Sequence, residues 1–197
     1  MKLYYAPGAC SLADHIALCE TELPFDTEQV DLRQKRTASG EDFVAINPKG
    51  YVPALQLDDG EVLTENIAIL SYIADRGDLL EPRNTTGHWR VLEALAYIST
   101  EIHKSFKPFF MPGATDADKA NAREFLLKRL GYLDEKLEGH EFLVGDTFSV
   151  ADCYLFVMLY WARAKAELTL PQRLSAYVEA LAERPSVVKA MTAEGLR

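Results

Sequence analysis

The sequence predicts an α+β domain of order βαβαββα followed by an all-α helical bundle. Three observations predict it. Strand and helix signals alternate from residue 2 to about residue 78. No convincing strand follows residue 87. Charge divides in the same place, with 6 Lys/Arg against 14 Asp/Glu over residues 1–80 and 15 against 16 over residues 81–197. The expected organisation is a first domain over residues 1–78, a linker over 79–86 and a helical domain over 87–197.

In order along the chain, Lys2 to Ala6 is a short apolar run closed by Pro7-Gly8, a strand and its turn. Ser11-Leu12-Ala13-Asp14 opens a helix whose Leu12, Ile16, Cys19 and Leu23 share one face, and Pro24 ends it. Phe25 to Asp31 reads as a second strand. Ser39 to Ile46 reads as a short helix stopped by Asn47-Pro48-Lys49-Gly50. Val52 to Leu57 is a strand, Asp58-Asp59-Gly60 a tight turn, and Glu61 to Leu63 the hairpin partner. Thr64-Glu65-Asn66 opens a further helix with Ile67, Leu70, Ile73 and Ala74 inward. A βαβ unit followed by a hairpin and a helix gives a small mixed sheet covered by helices.

Pro82 and Asn84-Thr85-Thr86-Gly87 read as the linker. A long helix is expected from His88 to Phe109, with Leu92, Leu95, Ile98, Ile102 and Phe106 as its apolar stripe. A second is expected from Asp116 to Leu137, with Phe125, Leu126, Leu130, Leu133 and Leu137 inward. A third runs from Ser149 to Ala166, opened by the capping box Ser149-Val150-Ala151-Asp152. Two shorter helices, Leu174 to Glu183 and Ser186 to Glu194, are divided by Pro185.

The 197 residues carry a net charge of −9 and 48% hydrophobic content, enough to bury one large core or two modest ones. The acidic balance repels phosphate backbones, so no nucleic-acid partner is expected. No run of roughly 20 apolar residues suggests a membrane span. The N-terminus does not read as a signal peptide. Three sparse cysteines without a CxxC pair fit reduced thiols, and a cytoplasmic location is the expectation. His15, His88 and His140 have no partners at metal-ligand spacing, so no metal site is expected. Neither a GxGxxG nor a Walker loop is present.

Among candidate functional residues Cys10 stands first. It lies between the first turn and the first helix, where unpaired N–H groups and the helix dipole favour a negative charge. A thiol there tends toward the reactive thiolate. The alternative is a small buried apolar residue, the usual role of a free cysteine. Ser11 caps the helix or donates to a bound sulfur, capping being the simpler role. Cys19 and Cys153 read as packing. Val52-Pro53 precedes an interior strand, where a proline lacks a donor. Either the proline is an ordinary trans one or a cis bond turns Val52 outward to an extended ligand. Glu65-Asn66 begins a helix, and either caps it or receives a ligand's carboxylate and ammonium groups. His103 shares a small polar face with Ala96, Ser99, Thr100 and Lys107, suited to a cleft as well as to plain exposure.

Together these segments resemble the cytosolic glutathione S-transferase family, and within it the bacterial beta class. The resemblance covers essentially the whole chain. It is carried by MKLYYAPGACSLADHIAL, NPKGYVPALQLDDGEVLTENIAIL, STEIHKSFKPFF, FSVADCYLF and AERPSVVKAMTAEGL. It implies a thioredoxin-like first domain, an all-helical second domain and a homodimer. It implies a cis-proline at Pro53, with Val52 pairing to the cysteinyl backbone of glutathione and Glu65 and Asn66 holding its γ-glutamyl end. Lys35 matches a contact to the glycyl end. Cys10 matches the class's cysteine near the glutathione sulfur. His103, with Thr100, Glu101 and Ile102, matches the helical-domain residues of the same site, and Tyr5, Ser11 and Lys104 match further contributors. Asn66 departs from the serine or glycine of relatives, and Ala96 stands where a relative carries a polar contact.

The implied function is conjugation of glutathione to small hydrophobic electrophiles, with glutathione as co-substrate and no other cofactor. Phe106, Phe109, Phe110 and Trp161, with Met111 and Tyr160, are candidate walls for the second substrate. A glutathione-dependent thiol–disulfide or peroxidase side activity through Cys10 is a further expectation. The alternative of another class is a non-catalytic binding or adaptor protein built on the same fold.

Overall fold

The computed structural model describes residues 1–21, 23–79 and 85–197. Most of the expected linker, including Pro82 and Asn84, lies outside the described residues. Packing divides the chain into one unit of Met1–Leu80 with Arg184–Arg197 and another of Glu81–Glu183.

The first unit contains β1 (Lys2–Tyr5), α1 (Leu12–Thr21), β2 (Asp26–Asp31), β3 (Arg36–Thr37), α2 (Phe43–Ile46), β4 (Ala54–Gln56), β5 (Val62–Thr64) and α3 (Asn66–Arg76). The sheet order is β3-β2-β1-β4-β5. β1 runs parallel to β2, with Leu3 opposite Thr27, and antiparallel to β4, with Leu3 opposite Leu55. This is the thioredoxin-like arrangement. Alternation along β1 assigns the two faces: Tyr4 packs with Val30, Phe43, Val52 and Ala54, while the ring of Tyr5 lies 5.7 Å from that of His15 on α1. α1 packs against α3, and their approach is close at Gly77, where a Cβ would sit 2.1 Å from Thr21 Cγ2.

Two local differences from the sequence reading have local causes. β3 was not expected, and the helix expected from Ser39 begins only at Phe43, capped by the Asp42 carboxylate accepting from Val44 N–H. Residues 37–41 are spent on a turn instead. Thr37 N–H bonds to Glu41 C=O, and the Ser39 hydroxyl donates to Glu28. Such side-chain bonds compete with a helix.

The second unit contains α4 (Thr86–Tyr97), α5 (Lys107–Phe110), α6 (Asp116–Lys136), α7 (Val150–Ala164) and α8 (Gln172–Ala182). The expected single helix from His88 to Phe109 is interrupted by a π-helical turn at Ile98–Ile102 and a 3-10 turn at His103–Phe106. Thr100 and Ser105 hydroxyls donate back to Ala96 and Glu101 carbonyls at 2.9 and 2.8 Å, which loosens a helix. Pro108 has no N–H to return to residue 104. Leu95, Ile98, Ile102 and Phe106 are nonetheless fully buried. On α6 the inward stripe is Leu126, Leu130, Leu133 and Leu137, while Phe125 is 39% exposed rather than inward. α7 is buried almost all round. Its capping box is present, and Asp152 also accepts from Leu143 N–H and Tyr177 OH.

α9 (Pro185–Ala193) packs on α1 and groups with the first unit, whereas the sequence reading kept it with the helical domain. The Glu194 carboxylate accepts from Gly8 N–H and pairs with His15 Nδ1, both at 2.9 Å. Arg184 grips Glu20 through two nitrogens.

Candidate functional site

In the first unit three loops converge on Cys10. The turn after β1 is closed by Ala9 N–H on Ala6 C=O, and Leu12 N–H on Ala9 C=O begins α1. Cys10 is half-buried, and its thiol donates a long 3.5 Å bond to Val52 C=O. The Val52–Pro53 bond is cis. β4 pairs with β1 only from Ala54 onward, so Val52 lies outside the ladder. The Asn66 side-chain amide donates to Cys10 C=O at 3.1 Å, tying the start of α3 to the start of α1.

The sulfur does not have the electrostatics expected from its place at a helix start. Burial of the thiol, then the Asp14 carboxyl, push Cys10 up to about 12, against the lowering effect of the Cys10 and Ser11 N–H groups. Burial thus favours the neutral thiol and opposes the thiolate that the helix start would favour. Ser11 is fully buried, and its oxygen accepts from Ala6 N–H at 3.3 Å.

A charged cluster stands at the N-terminus of α3. Glu65 adopts φ 76°, a left-handed conformation that costs a non-glycine residue about 1–3 kcal/mol. Its Oε1 accepts from Lys49 Nζ at 2.5 Å and from Tyr51 OH at 2.8 Å. Lys49 Nζ also reaches Thr64 Oγ1 at 2.8 Å. Lys35, at φ 55°, donates from Nζ to Gly50 C=O at 2.6 Å. Lys35, Val52, Pro53, Glu65, Asn66 and Cys10 thus gather around residues 49–53. Tyr5 is buried on the α1 face, where burial raises its phenol above the usual value.

In the second unit the π and 3-10 turns present His103. Its Nδ1 lies 2.5 Å from Tyr154 OH, and its ring stands edge-on to Tyr154 and Trp161. Burial, with Lys104 beside it, lowers His103 to about 4, so the imidazole is neutral near pH 7. Glu101 is bridged to Arg129 at 2.7 Å, Ile102 is core, and Thr100 and Lys104 are exposed. Phe106 and Trp161 are buried against one another with centroids 5.6 Å apart. Phe110, 4.6 Å from Trp161 and 48% exposed, offers an apolar surface. Phe109 is half-buried under the Arg123 guanidinium.

Lys49, Tyr51 and Tyr154 were missed by sequence reasoning. Their partners lie 14 to 51 residues away, and no local spacing signals such pairs. Among the described residues no group of three His, Cys, Asp or Glu is placed to hold a metal ion. None of the described helices is long and apolar enough to cross a membrane.

Comparison with known proteins gives a consistent answer. Residues 9–76 match the glutathione S-transferase N-terminal domain and residues 97–185 its C-terminal domain. The chain is 46% identical to glutathione S-transferase GstA of Escherichia coli O157:H7, over 100% of both chains. A sphingomonad glutathione S-transferase solved in complex with glutathione superposes with a TM-score of 0.93 at 46% identity, covering 100% of each chain. The bacterial beta class enzyme of Sphingomonas chungbukensis does so with a TM-score of 0.92, again at 46% identity over 100% of both.

Proposed function

The chain belongs to the glutathione S-transferase family, with the bacterial beta class, and from that premise we propose which of its residues handle glutathione and how. The chain is a transferase with glutathione as co-substrate. The observation that carries the site assignment is the convergence of Cys10, Val52 and the Glu65-Asn66 helix start in the first unit. Val52, outside the sheet ladder, offers backbone groups to an extended tripeptide. Glu65 takes the ligand's ammonium, N–H groups at the start of α3 take its α-carboxylate, and the Lys35 ammonium takes the glycyl carboxylate. The peptide's sulfur then falls beside Cys10.

The reaction is displacement or addition at carbon. The glutathione sulfur gives up its proton to solvent and forms a C–S bond with the electrophile. In displacement the leaving group departs with its electron pair. In addition at a π bond the displaced π pair stays on the electrophile, which takes a proton from solvent. The single Cys10 thiol hydrogen, which points to Val52 C=O at a long 3.5 Å, turns to the bound sulfur and favours its anionic form. A donor of this kind contributes roughly 0.5–1.5 kcal/mol, about two- to twelvefold in the thiolate population. In the helical unit by itself, neutral His103 on the Thr100–Lys104 turn is a hydrogen-bond donor or acceptor. Phe110 is assigned to the hydrophobic electrophile. Small hydrophobic electrophiles as substrates, a cytoplasmic location and a homodimer complete the reading. Exposed Trp89, Leu127 and Tyr132 on α4 and α6 support a second copy as partner.

The test is Cys10→Ala, assayed with 1-chloro-2,4-dinitrobenzene and with 2-hydroxyethyl disulfide. Conjugation falls by about tenfold or less, the worth of one neutral hydrogen bond. Disulfide reduction collapses, since it needs a sulfur at residue 10 to form the mixed disulfide. Conjugation that collapses as well would contradict the assignment of Cys10 as a donor.

A further inference from the structure

Glu65 already holds an ammonium group. Lys49 Nζ lies 2.5 Å from Glu65 Oε1 and 2.8 Å from Thr64 Oγ1, and Tyr51 OH takes the same carboxylate oxygen at 2.8 Å. Lys49 and Glu65 are 44% and 55% exposed. The lysine therefore has water to retreat into and a flexible stem to carry it there. A second ammonium arriving at the same oxygen meets a like charge within a few ångströms and is repelled by it.

We propose that Lys49 is a specificity-determining residue that occupies the ammonium position on Glu65 and must be displaced by the α-ammonium of the incoming γ-glutamyl group. The proposal rests on the glutathione reading above and adds to it a competitor built into the chain. Lys49 and Tyr51 hold the Glu65 carboxylate in place above a left-handed backbone. On binding, one ammonium replaces another, so the carboxylate is never left unpaired. A peptide thiol without that ammonium gains nothing from Glu65 and leaves Lys49 where it is. The cost of displacement is that of an exposed ion pair, and Lys49 moderates affinity without blocking it.

The experiment compares glutathione with its desamino analogue, glutaryl-cysteinyl-glycine, by calorimetry on the wild-type chain, Lys49→Met and Lys49→Arg. Lys49→Met tightens glutathione by about two- to fivefold, the range of an exposed ion pair. It leaves the analogue unchanged, so discrimination for the ammonium rises by the same factor. Lys49→Arg retains wild-type values. Glutathione affinity that is unchanged or weakened in Lys49→Met overturns the proposal, as does equal tightening of both ligands. Failure of the wild-type chain to bind glutathione overturns the underlying reading and Lys49's role with it. That failure is distinguishable because it appears before any substitution is made.

Discussion

At Cys10 two effects of different size oppose each other. A helix N-terminus favours an anion by about 0.3–1 kcal/mol, less than one pKa unit. Burial of an ionisable group shifts it by up to 3–5 units. The larger effect wins, and the thiol is raised to about 12. Alkylation of Cys10 by iodoacetamide in the free protein should therefore climb with pH without levelling off below pH 10. A plateau near pH 7 would contradict a neutral thiol. The position of Cys10 was legible in the sequence, because it depends on a turn and a helix start close by. Its charge state was not, because it depends on what the fold places around the sulfur. Asp14 adds a second case. It is fully buried, and neither carboxylate oxygen has a hydrogen-bond partner among the described residues. Burial raises it well above the ordinary carboxyl range. A raised folded-state value means the native state loses stability as pH rises above the unfolded value of about 3.9. Asp14→Asn removes that loss. In urea titrations the variant should match the wild type near pH 4 and exceed it by about 1–3 kcal/mol near pH 8. A variant less stable at pH 8 would contradict the reading.

Elements with self-contained signals were read well, and those completed by distant partners were not. The capping box of α7 needs only Ser149 and Asp152. The donors from Leu143 and Tyr177 lie 9 and 25 residues from Asp152 and leave no local trace. The π and 3-10 turns around His103 escaped because apolar spacing continues through them, while hydroxyl back-bonding and Pro108 act on the backbone alone. The tie between α9 and α1 belongs to this class. Burial opposes protonation of His15, but the Cys19 side chain and the Glu194 carboxylate together outweigh it and raise His15 to about 9. Stability from a raised histidine is complete below the unfolded value of about 6.5 and is lost as pH rises through about 9. Glu194→Ala leaves His15 buried without its partner and should cost about 3–5 kcal/mol at pH 6. The deficit should shrink by pH 9.5. A deficit that grows with pH in chemical denaturation would contradict this pairing.

On the scale of the molecule, the α/β half and the helical half were both legible, because strand and helix signals alternate up to about residue 78 and only helical signals follow residue 87. The placement of the last segment was not. Arg184–Arg197 follows helices in sequence but packs with the first unit. A chain ending at Glu183 should lose α9, the Glu194 pair and the Arg184–Glu20 grip. Its thermal midpoint should fall by about 10 °C or more, and an unchanged midpoint would contradict the packing. The glutathione assignment rests on the same first unit, whose loops bring Cys10, Val52 and Glu65 together from three separate stretches of sequence. Calorimetric titration with glutathione, on the wild-type chain and on Glu65→Ala, tests it most directly. The account predicts saturable binding below millimolar concentration, weakened about tenfold or more in the variant, as expected for a lost charge-assisted bond. Absence of binding at millimolar glutathione, or equal affinity in both chains, would contradict it.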